Sequence, residues 1–192
     1  MPAERWWKFL GPGATAPFSG VRWPTPSSRG PGGWLESADP PDPSRRGLHL
    51  CRDRDLPYWI GEELYVVEAE GPVVEGRSFV VASRARLLRR VDAWSREAAV
   101  GFALGCVEAT CALVADVLRR TPAVEADLLG YTADLERFAA AVAEEPAWAS
   151  RAGTVALVAA TAAARASESQ GGWEAERVRQ AAWLTDEVLD PA

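Results

Sequence analysis

Lysine is almost missing from this chain. Of 21 basic residues, Lys8 alone is lysine and the rest are arginine. Arginine in place of lysine, alongside abundant alanine, follows GC-rich coding, so the shortage is compositional before it is chemical. Histidine is also down to one residue, His49, which excludes any metal centre needing two histidine ligands from one chain. The three cysteines, Cys51, Cys106 and Cys111, are odd in number and lack zinc-finger or zinc-ribbon spacing. Neither a metal site nor a disulfide is expected from them. A phosphate-cradling loop is missing too. Gly11-Pro12-Gly13 lacks the lysine and the following helix, and Gly30-Pro31-Gly32-Gly33 runs into Trp34 and an acid–proline loop. Nor does the charge suit nucleic acid. Residues 1–92 hold 13 basic and 12 acidic side chains, a net +1, and residues 93–192 hold 8 and 15, a net −7. Neither half has the basic footprint that phosphate backbones require.

The opening residues, Met1-Pro2-Ala3-Glu4-Arg5, do not read as the basic and then apolar segment of a secretory signal, so a reducing cytoplasm is expected. The longest apolar run, residues 98–118, is long enough to span a bilayer but carries Glu108 near its middle. A carboxylate at that depth costs about 3 kcal/mol. A buried helix, and no membrane, is the expectation.

Tryptophan is what the chain has in excess: nine, against three tyrosines and five phenylalanines. Six of the nine lie at or before residue 94, among glycines and prolines that break up any long helix. Short strands are expected at residues 6–10, 47–51, 63–70, 78–83 and 85–91. Glu70-Gly71-Pro72 and Glu75-Gly76 read as turns between them. Residues 12–43 read as a long ordered loop anchored by Phe18, Trp23, Trp34 and Leu35.

Beyond residue 92 the pattern is helical. One long helix covers residues 94–120, and Thr121-Pro122 caps the next. That second helix carries a stripe of Val124, Leu128, Tyr131, Leu135, Phe138 and Val142 and ends at Glu144-Glu145-Pro146. A third helix is expected over residues 147–168, a break at Gly171-Gly172, and a fourth over residues 173–189. The expected class is α+β: an irregular, Trp-rich antiparallel β lobe (1–92), then an antiparallel four-helix lobe (93–192) sharing its core.

His49 is the first candidate for chemistry. On a strand it shares a face with Cys51, while Leu48 and Leu50 share the other. Its imidazole can act as general acid or base near neutrality. Along a strand the thiol of Cys51 lies about 6–7 Å from it, too far for direct activation. Asp55 either partners His49 or caps the turn that follows. Glu108 lies on a stripe of small residues with Gly101, Gly105, Ala112 and Ala115. Such a stripe either admits a close neighbour beside a buried carboxyl or simply faces solvent. Arg84 and Arg86 alternate on one strand face, as an anion site or as charge protecting a strand edge.

The runs Trp7-Lys8-Phe9-Leu10, Pro17-Phe18-Ser19-Gly20 and Trp23-Pro24, then Arg46-Gly47-Leu48-His49-Leu50-Cys51 and Asp55-Leu56-Pro57-Tyr58-Trp59, resemble an uncharacterised family of actinobacterial proteins. Residues 46–91 also resemble a short phage-borne domain of unknown function. Its hallmark is a Gly-x-His-Ala-Cys run followed by a Tyr/Val-Glu strand, with Leu50 here in place of the alanine. The resemblance covers about the first 94 residues and implies that His49 and Cys51 are its signature, with no activity attached. A further similarity is to ADP-ribosyltransferase-like folds. It implies that His49 would contact a nicotinamide ribose and that Glu68 or Glu70 would be the acid.

The leading functional expectation is a small-molecule pocket at the junction of the lobes, without a cofactor. His49 would be its acid or base, with Asp55 or Glu108 as partner. Trp59, Tyr58, Trp34, Arg46 and Cys51 would bind an apolar or aromatic substrate for isomerisation, cyclisation or elimination. The alternatives are a non-catalytic interaction module that uses the helical lobe, with room for a homo-oligomer there, and an NAD-binding transferase-like protein.

Overall fold

In Trp6-Trp7-Lys8-Phe9-Leu10 every position but Lys8 is bulky and apolar, so the segment suits a strand covered on both faces. It forms β1 (Trp6–Leu10), with Trp6, Trp7, Phe9 and Leu10 all buried. The computed structural model describes residues 5–37, 40–43, 46–120, 125–144 and 147–190, and the chain divides into two compact units, Met1–Trp94 and Ser95–Ala192. The first unit continues with β2 (Leu35–Glu36), β3 (Leu48–Leu50), a 3₁₀ turn (Asp53–Tyr58), β4 (Glu63–Glu75) and β5 (Val80–Arg90).

All pairings in this sheet are antiparallel. β4 lies between β1 and β5, and the far edge of β5 takes β3 at Val80–Ala82 and β2 at Arg84 and Ala85. The sheet then closes on itself: Trp7 and Cys51 exchange both main-chain hydrogen bonds, at 2.9 and 2.8 Å, joining β3 back to β1. Inside the ring Trp6, Leu10, Leu50, Tyr65, Val67, Val80, Ala82, Ala85 and Leu87 form one core, joined by Ala14 and Trp23 from the loop.

Two sequence expectations change here. Glu70-Gly71-Pro72 is not a turn, because β4 runs through it. The register slips between Glu70 and Val73, Gly71 adopts φ +82°, and the slip leaves Pro72 without a ladder partner to satisfy. Residues 78–83 and 85–91 are likewise one strand, because β5 pairs with β4 along its length. The loop from residue 12 is ordered as expected along the β5 edge, with Gly32 and Ser37 donating to Leu87 and Ser83. Trp23 anchors it, but Phe18 does not: it is 88% exposed.

The second unit holds α1 (Arg96–Arg120), α2 (Glu125–Glu144), α3 (Trp148–Ala166) and α4 (Gln170–Leu184), ending in a single π turn, Thr185–Leu189. Ser95 accepts from the Ala98 amide at 3.3 Å and so caps α1, which starts two residues later than expected. The cap expected at Thr121-Pro122 and the stop at Glu145-Pro146 lie outside the described residues. On α2, Leu128, Leu135 and Val142 are buried as the stripe requires. α3 packs against all three other helices. Its buried positions are Ala149, Ala152, Ala156, Ala159, Ala160, Ala162 and Ala163 with Val155, short side chains that let several neighbours approach one helix.

Gly171-Gly172 does not break the chain. Both lie in the first turn of α4, and the break falls earlier, where Glu168 adopts φ +51°. Gly172 is required there because a Cβ would run into the Ala163 carbonyl and the Ser167 hydroxyl. Among the described residues α1 is the one helix long and apolar enough to cross a membrane, and 33% of that stretch is buried.

Candidate functional site

A cavity of about 810 Å³ opens in the first unit, and every residue lining it belongs to that unit. This volume suits a small-molecule site. One wall is a relay of aromatic rings. Phe18 meets Trp59 edge-on at 6.2 Å, Trp59 meets Phe79 edge-on at 5.9 Å, and Phe79 lies 4.8 Å from the ring of His49. The Trp59 indole N–H donates to the Ser78 carbonyl at 2.6 Å, which fixes the central ring. Trp23, Leu35, Leu48 and Leu50 contribute to the remaining lining.

His49 comes from β3, opposite Val81 of β5. Gly47 leads into this strand at φ +136°, where any Cβ would collide with Val81. Burial lowers the imidazole below its ordinary 6.5, and the nearby charge of Lys8 adds to the effect. Main-chain hydrogen bonds to Pro43 and Gly47 pull the other way without reversing it. The ring is therefore a neutral base at pH 7.

Lys8 also lines this cavity. It lies between Trp6 and Leu10 on the face of β1 that those two residues turn into the core, opposite Tyr65. Its Nζ donates to the His49 carbonyl at 2.6 Å and lies 5.0 Å from the centre of the Trp23 ring. Burial lowers its pKa from 10.5 to about 8. No ion pair to Lys8 forms among the described residues.

The expected site residues divide into two groups. His49, Cys51, Trp59, Tyr58 and Arg46 all line the cavity. Cys51 does so as an inert thiol, because burial pushes it up to about 12. Asp55, Trp34 and Glu108 are not in the lining. Asp55 is buried and caps its own turn, accepting from the Arg52 amide at 3.1 Å and pairing with the Arg52 guanidinium at 2.6 Å. Trp34 lies under Arg84 and Arg86, at 4.4 and 4.5 Å.

Glu108 belongs to the second unit and is exposed, as are Ala112 and Ala115, so that part of the stripe faces solvent. Further along the stripe, Gly101 and Gly105 accommodate the indole of Trp183. The Arg84/Arg86 pair is not a free anion site. Arg84 is paired with Glu70 and, at 3.2 Å, with Glu36; Arg86 is paired with Glu68 at 2.7 Å. These ladder pairs also occupy both Glu68 and Glu70, the two alternatives for the single acid of the transferase-like reading.

Lys8, Phe79 and Phe18 line the cavity without being among the expected site residues. For Lys8 the signal was present: position 8 has the parity of Trp6 and Leu10, so a strand must turn it the same way. Phe18 and Phe79 had no such signal, since they reach the wall from a loop and a hairpin.

Fold and site together define an α+β protein whose β unit carries a small-molecule-sized cavity with an aromatic wall. No family model, curated protein or solved structure matches the chain.

Proposed function

We propose that this chain binds a small apolar or aromatic molecule in the cavity of its first unit, and that His49 transfers a proton on the bound molecule. The chemistry that suits such a site is isomerisation, cyclisation or elimination, which needs a positioned base and no external electron source. One observation carries the reading: the only imidazole of the chain lies against the ring of Phe79, at the end of the Phe18–Trp59–Phe79 wall. An imidazole kept neutral by burial can accept a proton, and an aromatic wall favours flat, weakly hydrated ligands.

The test is a thermal-shift screen of aromatic and polycyclic metabolites on the wild type and on His49→Ala. A ligand that raises Tm by several degrees in both proteins, and is converted only by the wild type, supports binding and proton transfer together. Conversion by His49→Ala at the wild-type rate would remove the catalytic role. A screen with no stabilising ligand would remove the binding role as well.

A further inference from the structure

We propose that Lys8 is a carbonyl-capturing residue: its side-chain amine condenses with an aldehyde or ketone bound in the cavity and holds it as an imine. This rests on the cavity reading above and deepens it by naming the substrate class, aromatic carbonyl compounds.

Position carries the argument first. The strand Trp6-Trp7-Lys8-Phe9-Leu10 has a single polar side chain, and it is turned to the core face between Trp6 and Leu10, which are 6% and 0% exposed. A lysine on such a face is ordinarily replaced by an aliphatic residue or paired with a carboxylate. Here the amine has the Trp23 ring and one main-chain carbonyl as its partners. The carbonyl takes one N–H and leaves the nitrogen lone pair free once the amine is neutral.

Composition carries it second. Twenty basic positions are arginine, Arg46 of the same lining among them, and the exception is the position on the core face of β1. Guanidinium stays charged and is a poor nucleophile, whereas a desolvated amine is readily neutral and attacks carbonyl carbon. The lowered pKa of Lys8 agrees with that role. The single lysine therefore stands where arginine could not do the same chemistry.

The step balances without any other reactant. The Nζ lone pair forms the N–C bond while the C–O π pair moves to oxygen, giving a carbinolamine after one amine proton passes to that oxygen. The second amine proton follows, the C–O bond breaks, and water leaves behind a neutral C=N bond. The aromatic wall would receive a ring conjugated to this carbon.

The test uses the intact wild-type chain with 2-naphthaldehyde and cyanoborohydride, which reduces an imine to a stable secondary amine. Cleavage after Arg5 separates Lys8 from the α-amine upstream of it, so peptide mass spectrometry reads the two amines independently. The expected result is labelling of Lys8 about tenfold or more faster than the α-amine, because binding raises the local carbonyl concentration. 2-Naphthalenemethanol, which has the same ring but no carbonyl, should suppress that labelling. Trp fluorescence quenching by both compounds with no preference for Lys8 would overturn the imine and leave the cavity reading standing. No quenching by either, with equal labelling of the two amines, would overturn both.

Discussion

The amine of Lys8 donates to the main-chain oxygen of His49 across 2.6 Å, which ties the only lysine of the chain to its only histidine. The contact spans the seam where β3 closes onto β1, and it sets side by side two residues whose side chains burial favours in the neutral form. Both groups should therefore report on the same cavity, through different measurements.

Stability against pH is the first. Because burial lowers Lys8 from 10.5 to about 8, the unfolded chain binds more protons than the folded one between those values. Stability contributed through Lys8 thus rises with pH across that window, by on the order of 3 kcal/mol. Cys51, Cys106 and Tyr65, each pushed up to about 12, act in the opposite sense at alkaline pH, since the unfolded chain loses those protons first. Subtraction isolates the lysine. Urea unfolding of the wild type minus Lys8→Met should give a difference that climbs from about pH 8 to about pH 10.5. A flat difference would mean that the amine is solvated.

His49 offers a cleaner spectroscopic handle, because the chain has a single imidazole to observe. Its NMR titration should show a midpoint below 6.5. In Lys8→Met the like charge disappears, so the midpoint should move upward. A depressed folded value also fixes the sign of its effect on stability: full above 6.5, and lost as the pH falls towards the folded midpoint. An unchanged midpoint in the variant would show that the two groups do not sense each other.

Asp55 separates a structural carboxylate from a catalytic one. Its side chain is 3% exposed and is committed to Arg52 and to the amide that opens the 3₁₀ turn. Asp55→Ala should lower unfolding free energy by about 1–3 kcal/mol, the cost of leaving the Arg52 amide without its acceptor, while the Arg52 guanidinium keeps Glu75 at 3.0 Å. Affinity of the folded protein for a cavity ligand should stay as in the wild type. A variant of unchanged stability that no longer turns over a ligand would make Asp55 the partner of His49 instead.

What could be read from the sequence follows the range of the forces involved. Trp6–Leu10 and the helical stripe through Leu128, Leu135 and Val142 were legible because periodicity within one segment decides them. β4 runs past its expected end because Pro72 signals a turn locally, and only pairing with β5 shows that it sits in a bulge. Glu108 was open between two readings because a helical wheel gives a face and not its neighbour. The same stripe proves to be half a seat for Trp183 and half solvent. The cavity was the least legible feature. Its wall joins residues 18, 49, 59 and 79, which no spacing rule connects, and all of its lining belongs to the first unit, whereas composition points to the lobe junction.

Gly171 and Gly172 test the corrected boundary between α3 and α4. If the pair broke the chain, alanine at either position would be similarly harmful. In the structure both are helical, and they differ in what a methyl group would meet. At Gly171 the nearest atom is the Ser169 hydroxyl oxygen at 3.5 Å, an ordinary contact. Alanine there gains helix propensity and restricts the unfolded chain, so Gly171→Ala should raise stability by about 0.5–1 kcal/mol. At Gly172 the methyl group would run into the Ala163 carbonyl and the Ser167 hydroxyl, where α4 starts against the end of α3. Gly172→Ala should therefore lower stability by about 1–3 kcal/mol, through overpacking against backbone that cannot yield. Chemical denaturation of the two variants reads the difference directly. Equal losses in both would restore the break at residues 171 and 172 and move the start of α4 back to Trp173.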